Sequence, residues 1–238
     1  MSYYHSNARR MAGPVTSEID AGLRAHMQGV YGYMAGGLAL TGLVAYAAAV
    51  SGFYQAIAGT ALIWIVMLAP LGFVLALSFG IQRMNAGTAI LLFWIYAAVM
   101  GLSLGGIFLV YTGTSIARVF FITAATFAAM SLYGYTTNAD LSRMGAFLLM
   151  GLIGLVIASL VNIFIGSSAL QFAISIIGVI VFVGLSAYDT QRIKEMYLES
   201  DSTEIGGKKA VLGALALYLD FINLFMMLLQ LFGQRRDN

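Results

Sequence analysis

Ten acidic residues occur in this chain, and two of them, Asp189 and Asp220, fall within long apolar stretches. Asp220 lies mid-way along its stretch, and Asp189 at the deep end of another. The others, Glu18, Asp20, Asp140, Glu195, Glu199, Asp201, Glu204 and Asp237, occupy polar segments. An ionisable group at the centre of a bilayer costs roughly 2.5–3.5 kcal/mol on insertion scales, so it faces the protein interior, finds a partner and marks a functional site. Two carboxyls at hydrogen-bond distance cannot both ionise cheaply. The pair would hold one proton between them and titrate as a unit. Losing that proton would turn an attraction into a repulsion and push the two segments apart. A doubly ionised pair would also draw a hard cation, for which carboxylate oxygens suit Ca²⁺.

Composition says what surrounds this pair. The chain has 238 residues, 61% hydrophobic and 9% charged, against about 25% charged in an average soluble domain. It reads as an all-α integral membrane protein. A net charge of +2 suggests no nucleic-acid partner. Cysteine is absent, which excludes disulfides, thiolate metal sites and cysteine nucleophiles. The two histidines, His5 and His26, precede the first apolar stretch, so no histidine metal cluster or proton relay lies in the membrane. The polar start of the chain lacks the short apolar region and cleavage site of a signal peptide. It is expected to be a cytoplasmic arm, residues 1–27, ahead of a membrane domain at 28–232 and a tail at 233–238.

Seven stretches reach the roughly 20 apolar residues that a spanning helix needs. They fall near Gln28–Val50, Ala56–Phe79, Ala86–Tyr111, Ile116–Tyr135, Arg143–Ile165, Ala169–Tyr188 and Ala210–Phe232. Pro70 should kink the second. The one long connection, near Asp189–Lys209, carries much of the remaining charge. Arg9, Arg10, Arg24, Arg83, Arg143, Arg192, Lys194, Lys208 and Lys209 collect on one side of this arrangement. Arg118, Arg235 and Arg236 collect on the other. The positive-inside rule then places the N-terminus in the cytoplasm and the C-terminus on the far side. A re-entrant last segment would instead return the C-terminus to the cytoplasm. Gly32–Gly36, Gly101–Gly105 and Gly151–Gly154 read as sites of close helix packing.

The two aspartates can meet. If the sixth helix continues past Asp189 toward Leu198 and the seventh starts near Ala210, both carboxyls lie at similar depth on consecutive helices, which are usually neighbours. Asp220 and Asn223 share a face of the seventh helix, with Gln230 seven further on, and Ser186, Asp189 and Arg192 recur at intervals of three on the sixth. Ser186, Asn223 and Gln230 read as supporting groups that bond neighbouring helices. Arg83 and Arg192 are the candidate charge partners of the pair.

Enzyme chemistry fits poorly. Tyr188-Asp189 looks like half of a presenilin-type protease signature, but the other half would need glycines where Leu217-Tyr218-Leu219-Asp220 has none. The proline-containing motif of such proteases has no counterpart either, since the prolines are Pro14 and Pro70. Gly101-Leu102-Ser103-Leu104-Gly105 offers a serine with no membrane histidine to activate it. No phosphate-binding glycine loop with its lysine occurs. No enzyme activity and no cofactor are expected.

Three segments invite a family. Gly184-Leu185-Ser186-Ala187-Tyr188-Asp189-Thr190-Gln191-Arg192-Ile193 resembles the sixth-helix motif of the Bax inhibitor one family. Leu217-Tyr218-Leu219-Asp220-Phe221-Ile222-Asn223-Leu224-Phe225, with Leu228-Leu229 and Gly233, resembles its last-helix signature. Tyr133 to Ser142 is similar to its loop between the fourth and fifth spans. The likeness covers all seven spans and looks bacterial, of the branch that includes the enterobacterial inhibitor of a membrane-anchored ATP-dependent protease. It implies seven helices with the last one central among six. It also implies a pH-sensitive calcium leak gated by the aspartate pair, with Asp189 and Asp220 at the matching motif positions. The family's basic partner at the end of the second helix corresponds only approximately to Arg83. Calcium sites that use an acid in the second span do not transfer, because that span has none.

The leading expectation is a Ca²⁺ leak of the bacterial cytoplasmic membrane, gated by protonation of Asp189 and Asp220. The alternative is a non-conducting regulator whose N-terminal arm binds a membrane-anchored ATP-dependent protease. A proton-coupled transporter, with the pair as its proton site, is a third reading.

Overall fold

The computed structural model describes residues 13–236, with side chains described from residue 21 onward. Among these residues the chain forms nine α-helices and no strand: α1 (Gly13–Val50), α2 (Phe53–Ile57), α3 (Leu62–Gly80), α4 (Ala86–Leu104), α5 (Ile107–Val110), α6 (Gly113–Thr136), α7 (Ser142–Ile165), α8 (Ser168–Glu195) and α9 (Thr203–Phe232). Seven segments are long and apolar enough to cross a membrane, running from Ala21–Val50 to Thr203–Phe232. The protein is an all-α integral membrane protein.

Local chemistry sets the helix ends. Asn85, Thr112, Ser167 and Ser202 each cap a helix by accepting a hydrogen bond from the backbone N–H three residues on. Gly166, at φ 67°, takes the left-handed position that ends α7. Gly59, at φ 76°, interrupts the chain between α2 and α3. The second span therefore starts at Leu62, later than the apolar pattern suggests. Pro70 lies inside α3, which runs through it without breaking.

The expected boundary between arm and membrane domain does not coincide with a helix end. α1 is already helical from Gly13 and continues to Val50. The first twelve residues of the arm, with Arg9 and Arg10, lie outside the described residues. The connection between the last two spans is also shorter than expected, because α8 continues to Glu195 and α9 begins at Thr203.

Helix α9 is the core of the bundle. Two thirds of its most apolar window is buried, against a third or less for every other span. It packs directly on α8, α1, α6 and α4, while α3 leans chiefly on α4 and α7 on α8. The outer helices turn large apolar side chains outward, among them Phe79 on α3 and Phe164 on α7. This is the arrangement that lipid contact allows.

Close contacts depend on small residues. A Cβ on Gly101 or Gly105 would collide with the backbone of α1 at Thr41 and Ala45. One on Gly134 of α6 would collide with the backbone of α8 at Ala187. Gly36 receives the edge of the Trp94 indole, whereas Gly32 and Gly154 face open space. The expected packing role thus falls on one member of some pairs and on both of Gly101–Gly105.

The last helix crosses the whole bundle. Beyond it, the backbone N–H of Thr112 donates to Gln234 O at 3.0 Å, and that of Arg236 donates to Val110 O at 2.9 Å. The N–H of Gln234 donates to Ser115 Oγ at 2.8 Å. The described part of the tail, to Arg236, therefore lies beside the α5–α6 connection. At the opposite end, the α6–α7 loop, the α8–α9 loop and the start of α4 come together, where a Cβ on Gly207 would meet Ala86. A re-entrant α9 would have carried the tail to that second end.

Two outcomes test this packing. Gly134→Ala should cost about 1–3 kcal/mol through overpacking, read as a lower thermal unfolding midpoint in detergent, while Gly154→Ala should stay within about 0.5 kcal/mol of the parent. Because the chain has no cysteine, the double variant Tyr111→Cys/Arg235→Cys should form a disulfide on mild oxidation, since these residues pair as an antiparallel bridge.

Candidate functional site

The sequence places one aspartate on each of the two most extensively packed helices, and the structure brings them together. α8 and α9 are joined at three levels. At one end, Gln230 Oε1 accepts from Gln171 Nε2 at 2.6 Å and from Ser175 Oγ at 2.9 Å. Mid-way, Met227 fills the space that Gly178 leaves. Toward the other end, Ile193 lies against Gly213. This last contact sets the register that leaves Asp220 two turns further along α9 and Asp189 one turn back along α8, facing each other.

The carboxyls of Asp189 and Asp220 lie within hydrogen-bonding range of one another. Asp220 is 4% exposed, and its Oδ2 finds no donor among the described residues. Two carboxylates are acceptors only, so a bond between them requires a shared proton. The pair lines a cavity of about 490 Å³ between α7, α8 and α9, together with Gly145, Leu149, Phe182, Tyr188, Arg192, Leu219 and Asn223. Gly145 makes the room, because a Cβ there would run into the Tyr188 ring.

The other expected site residues separate. Arg192 is exposed, lines the same cavity, and is the cation whose charge acts on Asp189. Arg83 is exposed at the end of the 3-10 turn after α3 and is not among the cavity's lining residues. Asn223 lines the cavity, with Nδ2 donating to Leu219 O at 2.8 Å. Ser186 is fully buried away from it, and its Oγ donates to Phe182 O at 2.7 Å. Both therefore bond within their own helices, contrary to the expectation of bonds between helices. Of the three, Gln230 bonds across. The reason is local: a short side chain in a helix reaches the carbonyl one turn back more readily than a neighbouring helix.

Several residues that hold the pair in place had no sequence signal beyond polarity. Thr190, next to Asp189, is 3.2 Å from Ser131 Oγ on α6. Gln191 clamps the α6–α7 loop, accepting from the Leu141 N–H at 2.9 Å and donating to Ala139 O at 2.8 Å. In that loop, the Ser142 side chain, together with the Ser142 N–H that donates to Asp140 at 2.9 Å, holds the exposed Asp140 carboxyl below the usual carboxylate range. Tyr218, two residues before Asp220, is 2.6 Å from Thr41 Oγ1, which itself donates to Ala97 O. The tyrosine hydroxyl is thus the donor, and it pins α9 to α1.

A seven-span helical bundle with its most buried helix carrying one half of a carboxyl pair defines a class of membrane protein. Over residues 23–237 the chain matches the family described as "Inhibitor of apoptosis-promoting Bax1", and it belongs to that Bax inhibitor family. It is 53% identical over 219 residues to an uncharacterised protein of Rickettsia prowazekii, covering 92% of this chain and 93% of the relative. It is 51% identical over 220 residues to the inner membrane protein YbhL of Escherichia coli K12, covering 91% and 94%. An uncharacterised protein of Borreliella burgdorferi is 46% identical over 212 residues, covering 88% and 91%.

Gln191→Ala should strip the α6–α7 loop of both clamping bonds. The expected cost is about 1–3 kcal/mol, with faster amide exchange in residues 137–141 measured by hydrogen–deuterium exchange.

Proposed function

We propose that the protein is a pH-sensitive Ca²⁺ leak of a bacterial cytoplasmic membrane, with Asp189 and Asp220 as its proton sensor and gate. The observation that carries this reading is the buried Asp220 carboxyl, whose Oδ2 has no donor among the described residues and which meets a second carboxyl beside a cavity. The inner-membrane setting follows the printed name of the Escherichia coli relative. The excess of basic residues at the end opposite the tail supports a cytoplasmic N-terminus.

With one proton shared, the two helices are held together. Without it, two adjacent negative charges in an apolar bundle repel and separate α8 from α9. The same ionised pair presents four carboxylate oxygens, and Asn223 lines the same cavity. Ca²⁺ takes about six to eight oxygens, so water would complete its shell. Incomplete protein coordination suits an ion that enters and leaves rather than one that stays. Arg192, on the rim, would oppose a cation until the pair ionises.

Purified protein in liposomes should pass Ca²⁺ in a pH-dependent way between about pH 5 and pH 8, rising as the shared proton is lost. Asp189→Asn and Asp220→Asn should each flatten that dependence. Flux no greater than in empty vesicles across this range would remove the leak reading. The non-conducting alternative, a regulator that uses its N-terminal arm to bind a membrane-anchored ATP-dependent protease, would then stand. Flux that followed an imposed proton gradient rather than pH itself would make the pair a transporter's proton site.

A further inference from the structure

A second cavity of the bundle is lined by neither carboxyl of the pair. α1 and α6 both pack on α9 but form no packed interface with each other. A groove of about 550 Å³ runs between them, floored by Phe221 of α9. Its walls are almost entirely carbon: Met27, Tyr31, Met34 and Leu38 from α1, Phe127 and Leu132 from α6. The one wall hydroxyl besides tyrosine, Ser131 Oγ, is engaged with Thr190. Gln28, one turn from Arg24, adds the one amide of the wall, near the end where Arg24 stands, so a polar solute would find little to bond further in.

One end of the groove is different. Arg24 lines it, and Tyr135 stands opposite at the end of α6. Lys194 donates to Tyr135 O at 2.9 Å and places its ammonium 5.4 Å from that ring's centre. Two cations therefore flank a mouth that leads into an apolar trough. From Arg24 to Leu38 the wall runs about 21 Å at 1.5 Å per residue. That is enough to cross one leaflet, about half of a hydrocarbon core of roughly 30 Å.

The geometry points to a lipid site: the α1–α6 groove takes an acyl chain of an anionic phospholipid, with its headgroup at Arg24 and Lys194. Charge complementarity selects the headgroup, and the carbon-lined wall selects the chain. The occupant would lie on Phe221, the neighbour of Asp220, and beside Ser131, which bonds the neighbour of Asp189. It would therefore touch α9 directly and reach α8 only through the Ser131–Thr190 bond, whatever the pair does.

The test is native mass spectrometry of the full chain in detergent, titrated with phosphatidylglycerol or phosphatidylcholine. One phosphatidylglycerol should be retained saturably, up to about thirty-fold better than phosphatidylcholine, about five-fold for each of the two cations near the anionic headgroup. Arg24→Gln should lower that preference about five-fold. Ala128→Phe and Ala35→Phe, each at an exposed alanine lining the groove, should weaken retention of both lipids. Ile163→Phe, on the outer face of α7 where Ile163 is 75% exposed, should not. Unchanged thermal midpoints would show that the groove-filled variants still fold, and two independent fillers guard against one that does not. Equal retention of the two lipids, or retention indifferent to both fillers, overturns the assignment. So does a disulfide between Ala128→Cys and Tyr4→Cys, which would put the chain's own first residues in the groove.

Discussion

A carboxyl at the centre of an apolar bundle cannot remain charged and alone, and the position of Asp220 rests on that constraint. Isolated charge burial is among the costliest events in folding. Asp220 is met by Asp189 alone among the described acids, so its condition is tied to one neighbour and one proton. The α8–α9 interface therefore holds two carboxyls face to face among its other contacts. Most helix contacts in membranes are van der Waals packing between small residues. Here those contacts surround one between two acids.

The surroundings make the pair's geometry reproducible. Gly213 against Ile193 sets how far α9 slides along α8, and Gly134 against the Ala187 backbone fixes α6 behind it. The Thr41–Tyr218 bond ties the same turn of α9 to α1. A displacement of one helix at the carboxyls would thus be felt on α1 and α6. Those two helices frame the groove that the cationic rim and carbon walls assign to a lipid.

How much of this could be read from residue order varies with the kind of interaction. The spans were legible because bilayer thickness imposes a length on any apolar helix, and their ends moved mainly where a cap or a left-handed glycine intervened, as at Gly59. The carboxyl pair was legible because two acids stand out in an apolar background, and consecutive helices are neighbours. The partner of the pair was less so. Arg83 and Arg192 each precede or follow a span, and only the fold places Arg192 on the cavity and leaves Arg83 off it. Ser186 and Asn223 share spacing with the aspartates, yet each bonds one turn back along its own helix, a competition that periodicity does not resolve. The clamps at Gln191 and Lys194 join loops distant in sequence, for which a single chain offers no signal.

The two ends of α9 are both fastened. At one, Lys209 Nζ donates to Met196 O at 2.8 Å and pairs with Asp201 at 2.6 Å, holding the first turns to the α8–α9 loop. At the other, the tail is hydrogen-bonded to the α5–α6 connection. A rod fixed at both ends cannot act as a piston. α9 is held instead as a fixed post of the bundle, and α7, the outer wall of the carboxyl cavity, rests chiefly on α8 and not on that post.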